Sequence, residues 1–461
     1  GIASTKIVLG DYVIEAGEGL VFWRSVGFSK GSESISAAQK NGNGVRPYTS
    51  TDENSFFRGG AIEVYLSKSK LAAFYSRRSR AASVNADGEI TSFGTSGLYR
   101  TENEMKSKNA SRERLVGALA SIEPMDGLRI GLSGYASSFG HPLAISSIVD
   151  GSVQSMSVLG LHAYYTGSTF GLFAEAARDH RQIGAVVGGV LFKPSRKVEV
   201  AAVARSYPRN FTSLHGFGFG ESAGLVRNES GVYLATKVHV FPGLQMAAYY
   251  DQFSFPWRTA SINLPSNGND ALVFLESRLT SKLSLQFQYK RKNKAVTEVD
   301  QDVDGRARSA IGLRRQTNYR ATVELNSSIT WRWRSRVEWV IVTHDLGGLR
   351  ERGFLAFQDV RVIPLPKLLV NARLVAFQTD SFDSKVYQYE SDLPGAASNP
   401  GLFGKGLRWY AVARYEVSPS LDLWVRYSQS LKEGVKVISS GADEILGGLD
   451  NKISLQLDVR I

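Results

Sequence analysis

Residues 329–342 read ITWRWRSRVEWVIV, and alternate positions along this stretch have opposite character. Ile329, Trp331, Trp333, Ser335, Val337, Trp339 and Ile341 form one set; Thr330, Arg332, Arg334, Arg336, Glu338, Val340 and Val342 form the other. Successive side chains on a strand point to opposite faces. The segment therefore predicts a strand with one apolar, aromatic face and one face rich in arginine. The same alternation returns along the chain. Leu283, Leu285, Phe287 and Tyr289 stand against Ser284, Gln286, Gln288 and Lys290; Leu407, Trp409, Ala411, Ala413 and Tyr415 against Arg408, Tyr410, Arg414 and Glu416. Leu421, Leu423, Val425 and Tyr427 oppose Asp422, Trp424 and Arg426, and the last segment sets Ile453, Leu455, Leu457, Val459 and Ile461 against Ser454, Gln456, Asp458 and Arg460. Segments of about ten alternating residues are long enough to cross a bilayer as tilted strands.

The connections between these segments differ in length. Short ones fall at Pro194-Ser195-Arg196, Pro242-Gly243, Thr280-Ser281, Ser327-Ser328, Pro364-Leu365-Pro366 and Ser418-Pro419-Ser420. Long ones span 29–55, 78–112, 140–154, 207–230, 293–306, 379–404 and 432–450. Short periplasmic turns opposite long extracellular loops are the pattern of outer-membrane barrels. The chain is thus expected to be all-β, a large antiparallel transmembrane β-barrel of about 20–24 strands forming one domain over residues 1–461. A propeller or β-helix would show a repeat of constant period, and none is found. The first hairpin is expected to pair residues 5–16 with 20–28 through Gly17-Glu18-Gly19. It then starts on a descending strand, which implies one or more strands upstream of Gly1.

Composition narrows the function classes. The chain has 461 residues and no run of 18 uninterrupted apolar residues, so no transmembrane helix is indicated. A mean hydropathy of -0.15 fits a barrel, in which lumenal polar residues dilute the lipid-facing ones. Cysteine is absent, which removes disulfides, thiol catalysis and cysteine metal sites. The net charge of +12 is scattered rather than gathered into one basic run, which weighs against a compact nucleic-acid module. No signal-peptide pattern opens the sequence.

Several segments resemble the C-terminal barrel regions of bacterial helix-hairpin-helix domain-containing proteins. They are Ile7-Val8-Leu9-Gly10-Asp11-Tyr12, Gly17-Glu18-Gly19-Leu20 with Trp23, Gly44-Val45-Arg46-Pro47-Tyr48 with Ser50, and Glu53 with Phe56-Phe57-Arg58-Gly59. His215-Gly216-Phe217 through Glu221, then Gly231-Val232-Tyr233, is a fainter echo. The main blocks cover about the first eighth of the chain. The resemblance implies a barrel coupled to a periplasmic DNA-binding part, with DNA handling or uptake as its role. No helix-hairpin-helix segment is present in these residues.

The candidate lumen-lining residues are Arg332, Arg334, Arg336, Glu338, Arg373, Arg408, Arg414, Asp422 and Arg426, joined by Arg460, Glu416 and Asp458. A positive wall favours anions; a cross-strand lattice of ion pairs bracing the wall or a plug explains the same residues. Trp331, Trp333, Trp339, Trp409, Tyr415 and Tyr427 face the other way and suit a membrane girdle. Arg46, Tyr48, Glu53 and Arg58 are candidates for a loop that folds inward, as a ligand contact or as a tie to the wall. The Phe217-Gly218-Phe219-Gly220 stretch lacks a P-loop lysine. The six histidines, His141, His162, His180, His215, His239 and His344, show no HxxxH spacing, and no GxSxG motif accompanies them. The expected function is an outer-membrane channel or translocation pore. The alternative is a plugged barrel that anchors or assembles a secretion or DNA-uptake machine. Neither an enzyme nor a cofactor or metal is expected. Expected partners are outer-membrane lipid and other envelope or secretion-complex proteins, with nucleic acid only through the resemblance.

Overall fold

The computed structural model describes residues 2–23, 30–50, 55–94, 97, 99, 101–145, 151–222, 224–301, 307–328, 330–346, 348–439 and 441–460. Gly1, residues 24–28 of the expected first hairpin, Glu53, Ile329 and Ile461 lie outside the described residues. The fold is all-β, and 23 strands belong to one large antiparallel sheet. The chain divides into two compact units, Gly1–Val238 with Ala248–Asn269, and His239–Ala247 with Asp270–Ile461.

The long strands of the first unit are β1 (Ile2–Glu15), β2 (Phe57–Leu66), β3 (Ser69–Arg80), β4 (Ser111–Met125), β5 (Leu128–Leu143), β6 (Val153–Thr166), β7 (Phe170–Asp179), β8 (Gly184–Ser195) and β9 (Val198–Tyr207). Next come β10 (Glu229–Phe241) and β11 (Leu244–Phe255). From β1 to β10 each long strand pairs antiparallel with the next. The second unit carries β12 (Ser266–Arg278), β13 (Leu283–Gln301), β14 (Ala307–Ser328), β15 (Trp331–His344), β16 (Arg350–Leu365), β17 (Leu368–Thr379), β18 (Lys405–Ser418), β19 (Leu421–Lys432) and β20 (Leu449–Val459). From β13 to β20 these also form a meander. All six expected short turns fall at or within two residues of the junction between consecutive strands.

Two expectations need correcting. Among the described residues the expected first hairpin is reduced to one antiparallel bridge, Glu15↔Trp23. After Glu15 the chain leaves the sheet, and β1 pairs instead with the short strand Gly44–Pro47 and with β2. Gly17 and Gly19 adopt left-handed φ values of 56° and 87°, which glycine reaches at no steric cost. Leu20, Val21 and Phe22 that follow are all fully buried, so this run packs on every side and has no lipid-facing set. Second, 293–301 of the expected 293–306 loop is strand. The β13–β14 ladder continues from Leu283↔Leu325 to Gln301↔Ala307. Charged residues such as Lys292, Lys294, Glu298, Arg314 and Arg315 interrupt the apolar positions Val296, Val299, Ile311 and Leu313, so the alternation is weak there although the ladder continues.

The faces are inverted relative to a water-soluble sheet. In the first unit Leu9, Val116, Leu159 and Leu161 are 51–80% exposed. Glu63, Glu113, Glu175, Asp179, Arg205, Glu229 and Asp251 are 0–3% exposed. In the second unit Leu374, Ile453, Leu455 and Leu457 are exposed, while Glu338, Asp359, Arg373, Asp422 and Arg426 are buried. Water does not favour so extensive an exposed apolar surface, whereas hydrocarbon does. Among the described residues no helix is long and apolar enough to cross a membrane, so any crossing falls to the strands. Leu161→Arg should therefore cost about 2–4 kcal/mol if its position is near the bilayer midplane. Urea unfolding from lipid vesicles measures this, and an unchanged midpoint would place this face in water.

Candidate functional site

In the first unit, three segments between strands fold onto the charged face and are stapled there. Residues 16–23 are held by Glu175 of β7, whose Oε2 accepts from the backbone N–H groups of Glu18 (2.6 Å) and Leu20 (3.1 Å). The Glu18 carboxylate in turn accepts from the Lys40 backbone N–H at 2.9 Å. The Lys40 ammonium donates to the Phe217 carbonyl and lies 4.7 Å above the Trp23 ring and 4.9 Å above the Phe217 ring. Backbone bonds from Trp23 N–H to the His215 carbonyl (2.8 Å) and from Phe217 N–H to the Gly19 carbonyl (2.7 Å) complete the staple.

Apolar packing reinforces it. The Phe22 ring lies 5.1–6.4 Å from the rings of Phe57, Phe74, Tyr135 and His215. His215 Nε2 is 2.8 Å from Glu113 of β4, which also holds Arg78 and Arg80. Lys30 reaches Glu221 and Asp251, and Asp251 shares Arg205 with Glu229. Burial pushes the Glu18 carboxyl up to about 8, with the neighbouring Glu175 adding to the effect. Burial pushes the Lys40 ammonium down to about 8, against the pull of Glu18 and Glu175.

In the second unit the candidate arginines stand on the charged face, and most are paired with acids. Arg334 bonds Glu324 at 2.7 Å, Arg320 bonds Glu338 at 2.7 Å, and Asp359 takes Arg373 at 2.9 Å and Arg332 at 3.8 Å. Asp422 holds both Arg414 and Arg460. Arg336 donates to the Thr322 hydroxyl at 3.2 Å and faces the Phe357 ring at 5.1 Å. The 379–404 loop completes the lattice. Its Glu390, with a fully buried side chain, binds Arg408 at 2.6 Å and Arg426 at 2.7 Å. Arg373 donates to the Tyr389 carbonyl at 2.7 Å. Val386 and Leu402 of the loop pack on Val340, Val342, Leu355, Phe357, Val375 and Phe377. The arginine face thus turns apolar toward the long-loop end, and the loop covers it.

The loop candidates fared unevenly. Arg46 reaches the buried Glu15. The Tyr48 ring packs on Phe56 at 5.3 Å, and its N–H bonds the Asp11 carbonyl. Arg58 does not point inward. Phe57 takes the buried position on β2, so Arg58 alternates to the exposed side and grips Asp11 with two bonds of 2.7 and 2.9 Å. The inward groups of this loop that sequence reasoning missed are Lys30, Ser34 and Lys40; Ser34 is fully buried and accepts from the Tyr233 hydroxyl. No short motif marks them, since their partners come from distant strands. Of the girdle candidates, Trp339, Trp409 and Tyr415 are exposed, and Trp331, Trp333 and Tyr427 half-exposed. Trp331 and Trp339 lie roughly 26 Å apart along β15 at 3.3 Å per residue, close to the height of a barrel's apolar band.

No family model matches the chain, and no curated protein matches it. Among solved structures it is similar to the FpvAI–pyocin S2 complex, with 11% identity and a TM-score of 0.48, over 87% of this chain and 62% of that one. It is similar to the ferric-catecholate import receptor Fiu from K12 E. coli, with 11% identity and a TM-score of 0.47, over 87% and 73%. It is also similar to the siderophore receptor PirA from Acinetobacter baumannii, with 7% identity and a TM-score of 0.48, over 87% and 70%. The chain thus spans less than two thirds of the length of the first of these.

Glu390→Gln should take the counter-ion from the half-buried Arg408 and leave the buried Arg426 with Asp392 alone, 3.4 Å away, at a cost of up to about 3–5 kcal/mol. The expected result is a lower denaturation midpoint and faster protease cleavage within 379–404. An unchanged cleavage rate would mean that Glu390 does not hold the loop.

Proposed function

We propose that this chain forms an outer-membrane β-barrel for the passage of solutes, closed at rest by its own inward segments. A bacterial outer membrane is the setting in which a strand-built apolar exterior is stable. The observation that carries the reading is the Glu390 clasp on Arg408 and Arg426. A permanently open anion path would leave those arginines to water and solute, whereas here a loop carboxylate occupies them. Passage then requires displacement of the 379–404 loop, and in the first unit release of the staple around Glu18, Lys40 and Glu175. Freed arginines would favour anions. The density of buried ion pairs also favours a second reading, a filled barrel serving as anchor or assembly component. A link to DNA rests on the sequence resemblance alone.

Single-channel recording in planar bilayers separates the two. For a gated pore, the wild type should be mostly silent, Glu390→Gln should open more often, and Arg332, Arg334 and Arg336 substitutions should weaken anion selectivity. Silence in every variant would rule out passage and leave the anchor.

The staple adds a pH dependence. Glu18 is raised, so its contribution to closure is complete below its ordinary value of 4.5 and lost as pH rises through about 8. Lys40 is lowered, so its contribution is present above its ordinary value of 10.5 and lost as pH falls through about 8. Closure is weakest where the two limbs meet, and opening frequency should peak near pH 8. Glu18→Gln should flatten the acid limb and keep the alkaline one; a profile identical to wild type would remove Glu18 from the gate.

A further inference from the structure

At the long-loop end of the second unit, His344 closes β15, Glu351 is the second residue of β16, and Asp383 sits in the 379–404 loop. One ligand atom from each lies within 4.8 Å of the others. The imidazole is already oriented. Its Nδ1 is 2.7 Å from Glu298 Oε1 on β13, and the other Glu298 oxygen accepts from the Leu346 N–H at 3.2 Å. With Nδ1–H given to Glu298, Nε2 keeps its lone pair. That atom is buried, has no hydrogen-bond partner among the described residues, and lies 3.9 Å from Asp383 Oδ2. Glu351 is fixed in turn by the Ser381 hydroxyl at 2.6 Å.

A histidine that ligates a metal commonly hands its other ring N–H to a carboxylate, which sets both tautomer and orientation. The arrangement of Glu298, His344 and two further carboxylates has that form. The competing account is a protonated His344 paired with Glu298 and Asp383. It uses Nε2 poorly, because 3.9 Å is beyond hydrogen-bond length.

We propose that His344, Glu351 and Asp383 bind a divalent first-row transition ion, with Glu298 as the positioning residue for the imidazole. One imidazole and two carboxylates suit zinc and its neighbours better than calcium or magnesium, which prefer all-oxygen shells. Metal–ligand bonds of about 2.0–2.2 Å put ligand atoms roughly 3.3 Å apart in a tetrahedral site. The Asp383 side chain, which is exposed, supplies the movement needed. Three protein ligands leave a position for water or an incoming donor. The ion would tie the loop that carries Glu390 to the ends of β15 and β16. That consequence rests on the gated-pore reading, whereas the binding itself does not.

The test is calorimetric titration of zinc chloride into the tag-free, detergent-solubilised full chain, with calcium and magnesium as controls. One saturable equivalent is expected. His344→Ala and Asp383→Asn should each weaken it at least tenfold, and Glu298→Gln by about 10–100-fold. Asp383 is exposed, so its variant reports on binding even if the His344 variant folds poorly. Zinc should also slow protease cleavage within 379–404 in the wild type and not in Asp383→Asn. The proposal is overturned by absence of saturable zinc binding, by affinity unchanged in both His344→Ala and Asp383→Asn, or by equal binding of calcium. Silence in the conductance experiment would leave this result standing, so the two ideas fail separately.

Discussion

Everything in this structure depends on where its charges are allowed to go. An exterior of leucine, valine and aromatic side chains leaves the polar half of each alternating strand on the other face. Once loops cover that face, each carboxylate and guanidinium loses water and must find a partner within the protein. Asp359 with Arg373, and Asp251 between Arg205 and Lys30, are the result. The pairing rule also explains why loops and wall are matched in composition. Glu390 lies in a loop outside the sheet ladder that carries Arg408 and Arg426, yet it supplies the acid that both of them bind.

This matching makes the inward segments part of the fold's stability and also its weak point. Where a strand residue pairs with a strand residue, as Arg334 with Glu324, opening the pair means breaking the ladder. A pair between strand and loop breaks with the loop alone. Local opening is drawn from the less stable parts of a structure. The Glu390 clasp and the Glu18–Lys40 staple are therefore where motion costs least. The strand lattice of Arg320, Glu338, Arg373 and Asp359 stays as the frame.

Much of the fold was legible from the chain because the alternation of apolar and polar positions is a local signal. Trp331 to Val342 announced both faces of β15, and the short turns were marked by Pro, Gly and Ser. The continuation of β13 and β14 was not legible, since charged residues such as Lys294, Glu298 and Arg314 break up its few apolar positions. Leu20-Val21-Phe22 looked like part of a strand, and only its lack of polar alternation pointed to full burial. Arg332, Arg334 and Arg336 could be placed on the buried face by counting, whereas their partners could not. Glu390, Lys40 and Glu175 act through contacts between residues far apart in sequence, such as the 155 positions between Leu20 and Glu175.

The same limit explains why histidine spacing said nothing about His344. Its neighbours Glu298, Glu351 and Asp383 come from two other strands and a loop, so no motif of fixed spacing contains them. Position along the sheet does what spacing cannot. The ends of antiparallel strands and the loop above them converge at one edge, where backbone geometry is freer and charged groups need not face lipid. A polar cluster there can be tuned without disturbing the apolar exterior. The loop holding Asp383 also holds Val386 against the apolar cluster and Glu390 against the arginines. One segment thus carries three chemically different contacts to the same sheet. A change at any one of them alters the hold of the other two, because all three share the conformational entropy of ordering a single loop.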